Sequence, residues 1–134
     1  MPVVLLITED SVFGDLVARN LQERSYHVET RVVSAAWAGE PAPRADSPPD
    51  SCILELGWFD HARAAHYARL AQWSRELSCP TVLVVDSSWP QAWVQAFEAR
   101  AVLRKPFAMA VLVRTVDEVG KAQAVAGPGG NKQE

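Results

Sequence analysis

Four charged residues stand where short apolar runs end. Glu9 and Asp10 follow the run Val3-Val4-Leu5-Leu6-Ile7, Glu55 lies in Cys52-Ile53-Leu54-Glu55-Leu56, and Lys105 follows Ala101-Val102-Leu103. Brought together, the carboxylates of Glu9, Asp10 and Glu55 and the Lys105 ammonium would form an acidic pocket holding one cation. Oxygen-only donors suit Mg²⁺, which takes one or two protein carboxylates and keeps several waters, so Glu9 and Asp10 are the candidate metal ligands. Without a metal, three converging carboxylates repel one another unless Lys105 compensates. Taken singly, each is also an ordinary solvated acid or helix cap. Nucleophilic catalysis lacks its parts: no Ser/His/Asp or Cys/His set falls at these run ends. His27, His61 and His66 show no ligand spacing with Cys52 or Cys79 and read as solvated, and Arg63, Arg69 and Arg75 read as a solvated helix face. The expectation is a non-enzyme that requires no cofactor, with Mg²⁺ as an option.

The elements that must position these residues alternate. Val3 to Ile7 is a strand apolar on both faces, and Val12, Leu16, Val17 and Leu21 recur at helical spacing behind an Asp10 or Ser11 cap. Tyr26 to Val33 and Cys52 to Leu56 read as strands two and three. A helix over about 60–78 carries Tyr67, Leu70, Trp73 and Leu77 on one face. Thr81 to Val85 is strand four, a short helix follows Pro90, Ala101 to Leu103 is strand five, and Met109 to Val119 opens a final helix. Alternation of this kind predicts an α/β fold with a doubly wound parallel sheet in three layers. Its site lies at the carboxyl ends of the strands, where the four charged residues fall.

Composition bounds the remaining classes. Thirteen Lys and Arg against sixteen Asp and Glu leave a net charge of −3, with no basic run longer than Arg104-Lys105, which excludes nonspecific binding to nucleic acid or anionic membranes. Phe107 to Val113, the longest apolar run, is too short to span a bilayer, and Val3 to Ile7 is too short for a signal-peptide core. Two cysteines make no disulfide framework. The reading is one cytoplasmic domain over 1–122, followed by a flexible tail over 123–134 that has little to bury.

Glu9-Asp10, the segment Pro49 to Leu56, and Lys105-Pro106-Phe107 are spaced 45 residues from Asp10 to Glu55 and 50 from Glu55 to Lys105. In that register the chain resembles the CheY-like receiver domain of bacterial two-component response regulators, over roughly residues 2–120. The resemblance implies a five-stranded sheet in order 2-1-3-4-5 with five helices and a cis bond before Pro106. It also implies Mg²⁺-dependent phosphoryl transfer, within a phosphorelay, from a histidine kinase to an aspartate. This chain departs from that pattern. Glu55 stands at the phosphoacceptor position, where one extra methylene moves the carboxylate out of in-line geometry and toward Lys105. Val85, thirty residues on, stands where the family has a Ser or Thr hydroxyl, although a shift in register would put Asp86 or Ser87 there. Val102 replaces the aromatic switch residue. Pro41, Pro43 and Pro48-Pro49 fall where the family keeps its second helix, which is expected to shrink to a turn near Ser34–Glu40 or vanish, with Trp37 or a partner covering the exposed sheet face.

The resulting expectation is a phosphorylation-independent pseudo-receiver that serves as a protein-interaction and regulatory module. The alternative is a degenerate receiver still switched by Mg²⁺ or an atypical phosphoryl signal. Its partner would be a signalling or output protein, or a second copy bound through the face formed by the family's fourth helix, fifth strand and fifth helix. Trp89 and Trp93, four apart on the short helix, are either anchors of that interface or inward-packed core.

Overall fold

The computed structural model describes residues 1–33 and 44–125, with side chains as far as Lys121. Five strands, β1 (Val3–Thr8), β2 (His27–Val32), β3 (Ser51–Glu55), β4 (Thr81–Val85) and β5 (Ala101–Arg104), form one parallel sheet in the order β2-β1-β3-β4-β5, as expected. Helices α1 (Ser11–Gln22), α2 (Ala64–Glu76), α3 (Gln91–Ala96) and α4 (Met109–Val125) connect and cover them, and a 3₁₀ turn at His61–Arg63 leads into α2. Both β3 and β4 are buried at every position because helices lie on both faces, which is why they read as unbroken apolar runs. The edge strand β2 is only partly buried, and it is shorter at both ends than the run from Tyr26 to Val33.

Alternate residues of each strand feed different layers. Leu5, Ile7, Cys52, Leu54 and Leu83 pack with Tyr67 and Leu70 of α2 and with Val94 of α3. Val4, Leu6, Ile53, Val82 and Val84 pack instead with Val17 and Leu21 of α1 and with Leu112 and Val116 of α4. This parity matters for the site: Thr8 follows Leu6, and Glu55 follows Ile53, onto the α1/α4 side. Parallel pairing then sets Thr8 opposite Glu55.

Helix α1 starts where Asp10 accepts the N–H groups of Val12 and Phe13 on Oδ1, at 3.0 and 3.3 Å. Helix α3 is a turn and a half, opened by Pro90. Helix α4 runs to Val125, three residues into the stretch expected to be a tail. Residues 126–134 and the stretch from Ser34 to Pro43, with Trp37 and the expected shortened second helix, lie outside the described residues. From Arg44 to Pro49 the chain is non-helical, and the Asp46 N–H donates to Glu29 Oε1 at 2.6 Å. Among the described residues no helix is long and apolar enough to cross a membrane.

Candidate functional site

At the carboxyl ends of the strands lies a cleft of about 530 Å³, lined by Glu9, Asp10, Glu55, Gly57, Trp58, Asp86 and Lys105. Glu55 closes β3 and is completely buried. Its Oε2 pairs with Lys105 Nζ, and its Oε1 accepts the Thr8 hydroxyl. Thr8 is itself buried, and its Oγ1 accepts the Asp10 N–H at 2.9 Å. A Cβ on Gly14 of α1 would come within 2.8 Å of Thr8 Cγ2, so the absence of a side chain there leaves Thr8 room to face Glu55. The Lys105 ammonium also sits 4.8 Å from the centre of the Phe13 ring, an attraction to the ring face in addition to the ion pair. The Lys105–Pro106 peptide is cis, in keeping with the resemblance.

The other acids do not share this lysine, which corrects the expectation that three carboxylates converge on it. Glu9 turns toward α2. Its Oε1 accepts the Gly57 N–H at 3.0 Å, while Oε2 pairs with Arg63 at 2.5 Å and lies 3.4 Å from His66 Nε2. Burial alone would raise the Glu9 pKa, but the hydrogen bonds from Arg63 and Gly57, the Arg63 charge and His66 hold it below the usual carboxylate value. Arg63 and His66 are therefore not a solvated face: their side chains are 18% and 8% exposed, and the Arg63 guanidinium lies 5.2 Å from the Tyr67 ring centre. Asp10 is the helix cap described above. Both oxygens of Glu9 and both of Glu55 hold protein donors, so of the lining acids only Asp10 and Asp86 keep an oxygen open to a Mg²⁺ ion that retains most of its waters. Among the described residues no group of three His, Cys, Asp or Glu is placed to hold a metal ion.

Beyond β4, the strap from Asp86 to Pro90 is tied from two sides. Arg104 donates to the carbonyls of Asp86 and Trp89 at 3.2 and 3.0 Å, and Ser88 Oγ accepts the Phe59 N–H at 3.1 Å. Val85 is fully buried at the end of β4 and offers no donor. Asp86 lines the cleft with Oδ1 accepting the Ser88 N–H at 2.8 Å, whereas Ser87 is exposed and does not line it. Val102, expected at the aromatic switch position from the resemblance, is 39% exposed on β5.

Trp89 takes the inward-packed of its two expected places. It is 2% exposed, its indole N–H donates to the Gly57 carbonyl at 2.8 Å, and it packs with Phe59, Tyr67 and Phe97. Helical spacing places Trp89 near Trp93, but Trp89 lies before Pro90, outside α3, where the strap turns it inward. Trp93 is half-buried against the same cluster. Among the described tryptophans, Trp58 is the most exposed, at 79%. Cys52 and Cys79 are free, and burial raises both thiols, foremost for Cys52.

Sequence reasoning did not single out Thr8 or the Glu9–Arg63–His66 set. Thr8 was within reach, because strand order 2-1-3 and side-chain parity together put it across from Glu55. The partners of Glu9 carried no such signal, since they depend on the path of the loop between β3 and α2.

No family model and no curated protein matches the sequence. Solved structures do match in fold. A CheY-like response regulator receiver domain protein from Methanospirillum hungatei superposes with a TM-score of 0.73 at 18% identity, over 95% of this chain and 99% of that one. The signal receiver domain of a modulated diguanylate cyclase from Desulfovibrio desulfuricans gives 0.69 at 17%, over 94% and 98%. A response regulator receiver protein from Burkholderia phymatum gives 0.63 at 23%, over 90% and 96%. With its 2-1-3-4-5 sheet and a cleft at the strand ends, this chain has the fold of response-regulator receiver domains.

Proposed function

We propose that this chain is a phosphorylation-independent pseudo-receiver, a regulatory module of two-component-type signalling. It acts by binding a protein partner in the cytoplasm, either a signalling or output protein or a second copy of itself. The reading rests on one observation: Glu55, at the acceptor position, has one oxygen on Thr8 and the other on Lys105. Phosphoryl transfer is mostly a matter of positioning. An acceptor needs an oxygen presented for in-line attack, and both oxygens of Glu55 are instead held by protein donors. The Glu55–Lys105 pair takes the place a phosphoryl group would fill, with one negative charge in place of roughly two. Val85 supplies no hydroxyl for such a group. The strap after β4 is tied by Arg104 and Trp89 to β5 and to the loop after β3.

The test is to incubate the protein with acetyl phosphate and Mg²⁺ and weigh it intact. The expected result is the unmodified mass; a stable adduct of one phosphoryl group would refute the reading. A Mg²⁺ titration followed by tryptophan fluorescence covers the alternative of a metal-switched receiver, for which a saturable change is required.

A further inference from the structure

Trp58 is held still and left bare. Its neighbour Gly57 donates to Glu9 Oε1 at 3.0 Å and accepts the Trp89 indole N–H at 2.8 Å. The Trp58 carbonyl accepts the Tyr67 hydroxyl at 3.3 Å, and Phe59 donates to Ser88 Oγ at 3.1 Å. The Phe59 ring stacks on Tyr67 at 5.3 Å and meets Trp89 edge-on at 5.1 Å between centroids. Every backbone position from 57 to 59 is thus tied down, yet the indole between them is 79% exposed. Folding gains almost nothing from that indole, and its apolar surface stays in water. A large aromatic on a rigid loop is what a binding anchor requires, because little motion is left to lose when a partner covers it.

The charge beside it selects the partner. Lys105 is neutralised by Glu55, and Glu9 by Arg63. Asp10 and Asp86 line the same cleft as Trp58; Asp10 caps α1 and Asp86 holds its turn through Oδ1, while neither Oδ2 meets a donor among the described residues. Each carboxylate keeps one oxygen open toward the cleft that the exposed indole also lines, an arrangement that attracts a cation and repels an acidic surface. Tryptophan has the aromatic face that binds cations best.

We propose that Trp58 anchors a protein-docking surface whose partner places an arginine or lysine side chain against the indole and between Asp10 and Asp86. This names the docking surface for the interaction-module reading above and rests on it. The probe is a tri-arginine peptide titrated into the ¹⁵N-labelled chain, with a tri-glutamate peptide as the control. The expected result is a saturable shift centred on the Trp58 indole N–H and on the amides of Gly57 and Asp86, absent with tri-glutamate. Followed at Gly57, Trp58→Ala weakens binding by about tenfold or more, and Asp86→Asn by a smaller factor, with the fold unchanged by circular dichroism. No shift in the millimolar range, equal shifts with tri-glutamate, or an unchanged affinity in Trp58→Ala would each overturn the proposal. The phosphoryl-adduct experiment is independent of this titration, so failure here with an unmodified mass there removes the docking surface and leaves the pseudo-receiver reading standing.

Discussion

Replacing Lys105 with Met strands Glu55. The carboxylate is fully buried, and its other contact is the neutral Thr8 hydroxyl, whereas the Lys105 side chain is 28% exposed. Removing one member of a buried ion pair costs about 3–5 kcal/mol, because the remaining charge is left without compensation. The open side of Lys105 admits water toward Glu55, which places Lys105→Met near the low end, about 3 kcal/mol. The converse change is milder. In Glu55→Gln the amide carbonyl still accepts from Thr8 while Lys105 turns to solvent, at a cost of about 1 kcal/mol. The double variant has no stranded charge and should also lie about 1 kcal/mol below the parent, a coupling of about 3 kcal/mol. Urea unfolding followed by circular dichroism reads this directly. With a slope of about 2 kcal/mol/M, Lys105→Met lowers the midpoint by about 1.5 M, and adding Glu55→Gln recovers most of that. If Lys105→Met costs under about 1 kcal/mol, or the two changes simply add, the buried pair does not hold the cleft and the reasoning fails.

Three further outcomes follow from contacts elsewhere. Gly14→Ala should destabilise by about 1–3 kcal/mol despite the better helix propensity of alanine, because its Cβ meets Thr8 Cγ2 at 2.8 Å. Added to Thr8→Ser, which keeps the hydroxyl and removes that methyl, the same change should cost almost nothing in urea. The Tyr26 pKa is raised from 10.0 to about 12, first by burial and then by its hydrogen bond to Asp117 and that residue's charge, so the folded state holds this proton more tightly than the unfolded one. Stability from Tyr26 is therefore complete below pH 10 and is lost as pH rises toward and through about 12, and Tyr26→Phe should flatten that alkaline limb in unfolding measured against pH. Glu9 has the opposite sign: its pKa is lowered from 4.5, so its contribution is present above that value and is lost as pH falls below it. Arg63→Gln should weaken the acid dependence, and an unaltered acid limb would show that Arg63 does not hold Glu9.

Several features were legible because they are periodic. Unbroken apolar runs in β3 and β4 announce strands covered on both faces, and strands alternating with helical spacing call for right-handed crossovers and a parallel sheet. Residues at the ends of such strands must share one edge of the sheet, so Glu9, Asp10, Glu55 and Lys105 do line one cleft. The direction of a side chain in a loop has no period. Glu9 and Asp10 are neighbours, yet one reaches across to Arg63 and His66 while the other caps α1. Trp89 packs inward while Trp58 faces solvent, because the strap after β4 folds one under the loop that displays the other.

The sequence alone thus determined the layer structure and the strand ends that make the site, since local periodicity and strand order are written in neighbouring residues. Only the tertiary structure decided which donor satisfies each carboxylate and which aromatic faces water. Those outcomes depend on where separate segments meet: Thr8 at the end of β1 and Lys105 just after β5 close on Glu55, and the partners of Glu9 come from the loop, the 3₁₀ turn and the helix that follow β3. A buried charge must find a donor wherever the packed fold places one, and no local pattern records that place.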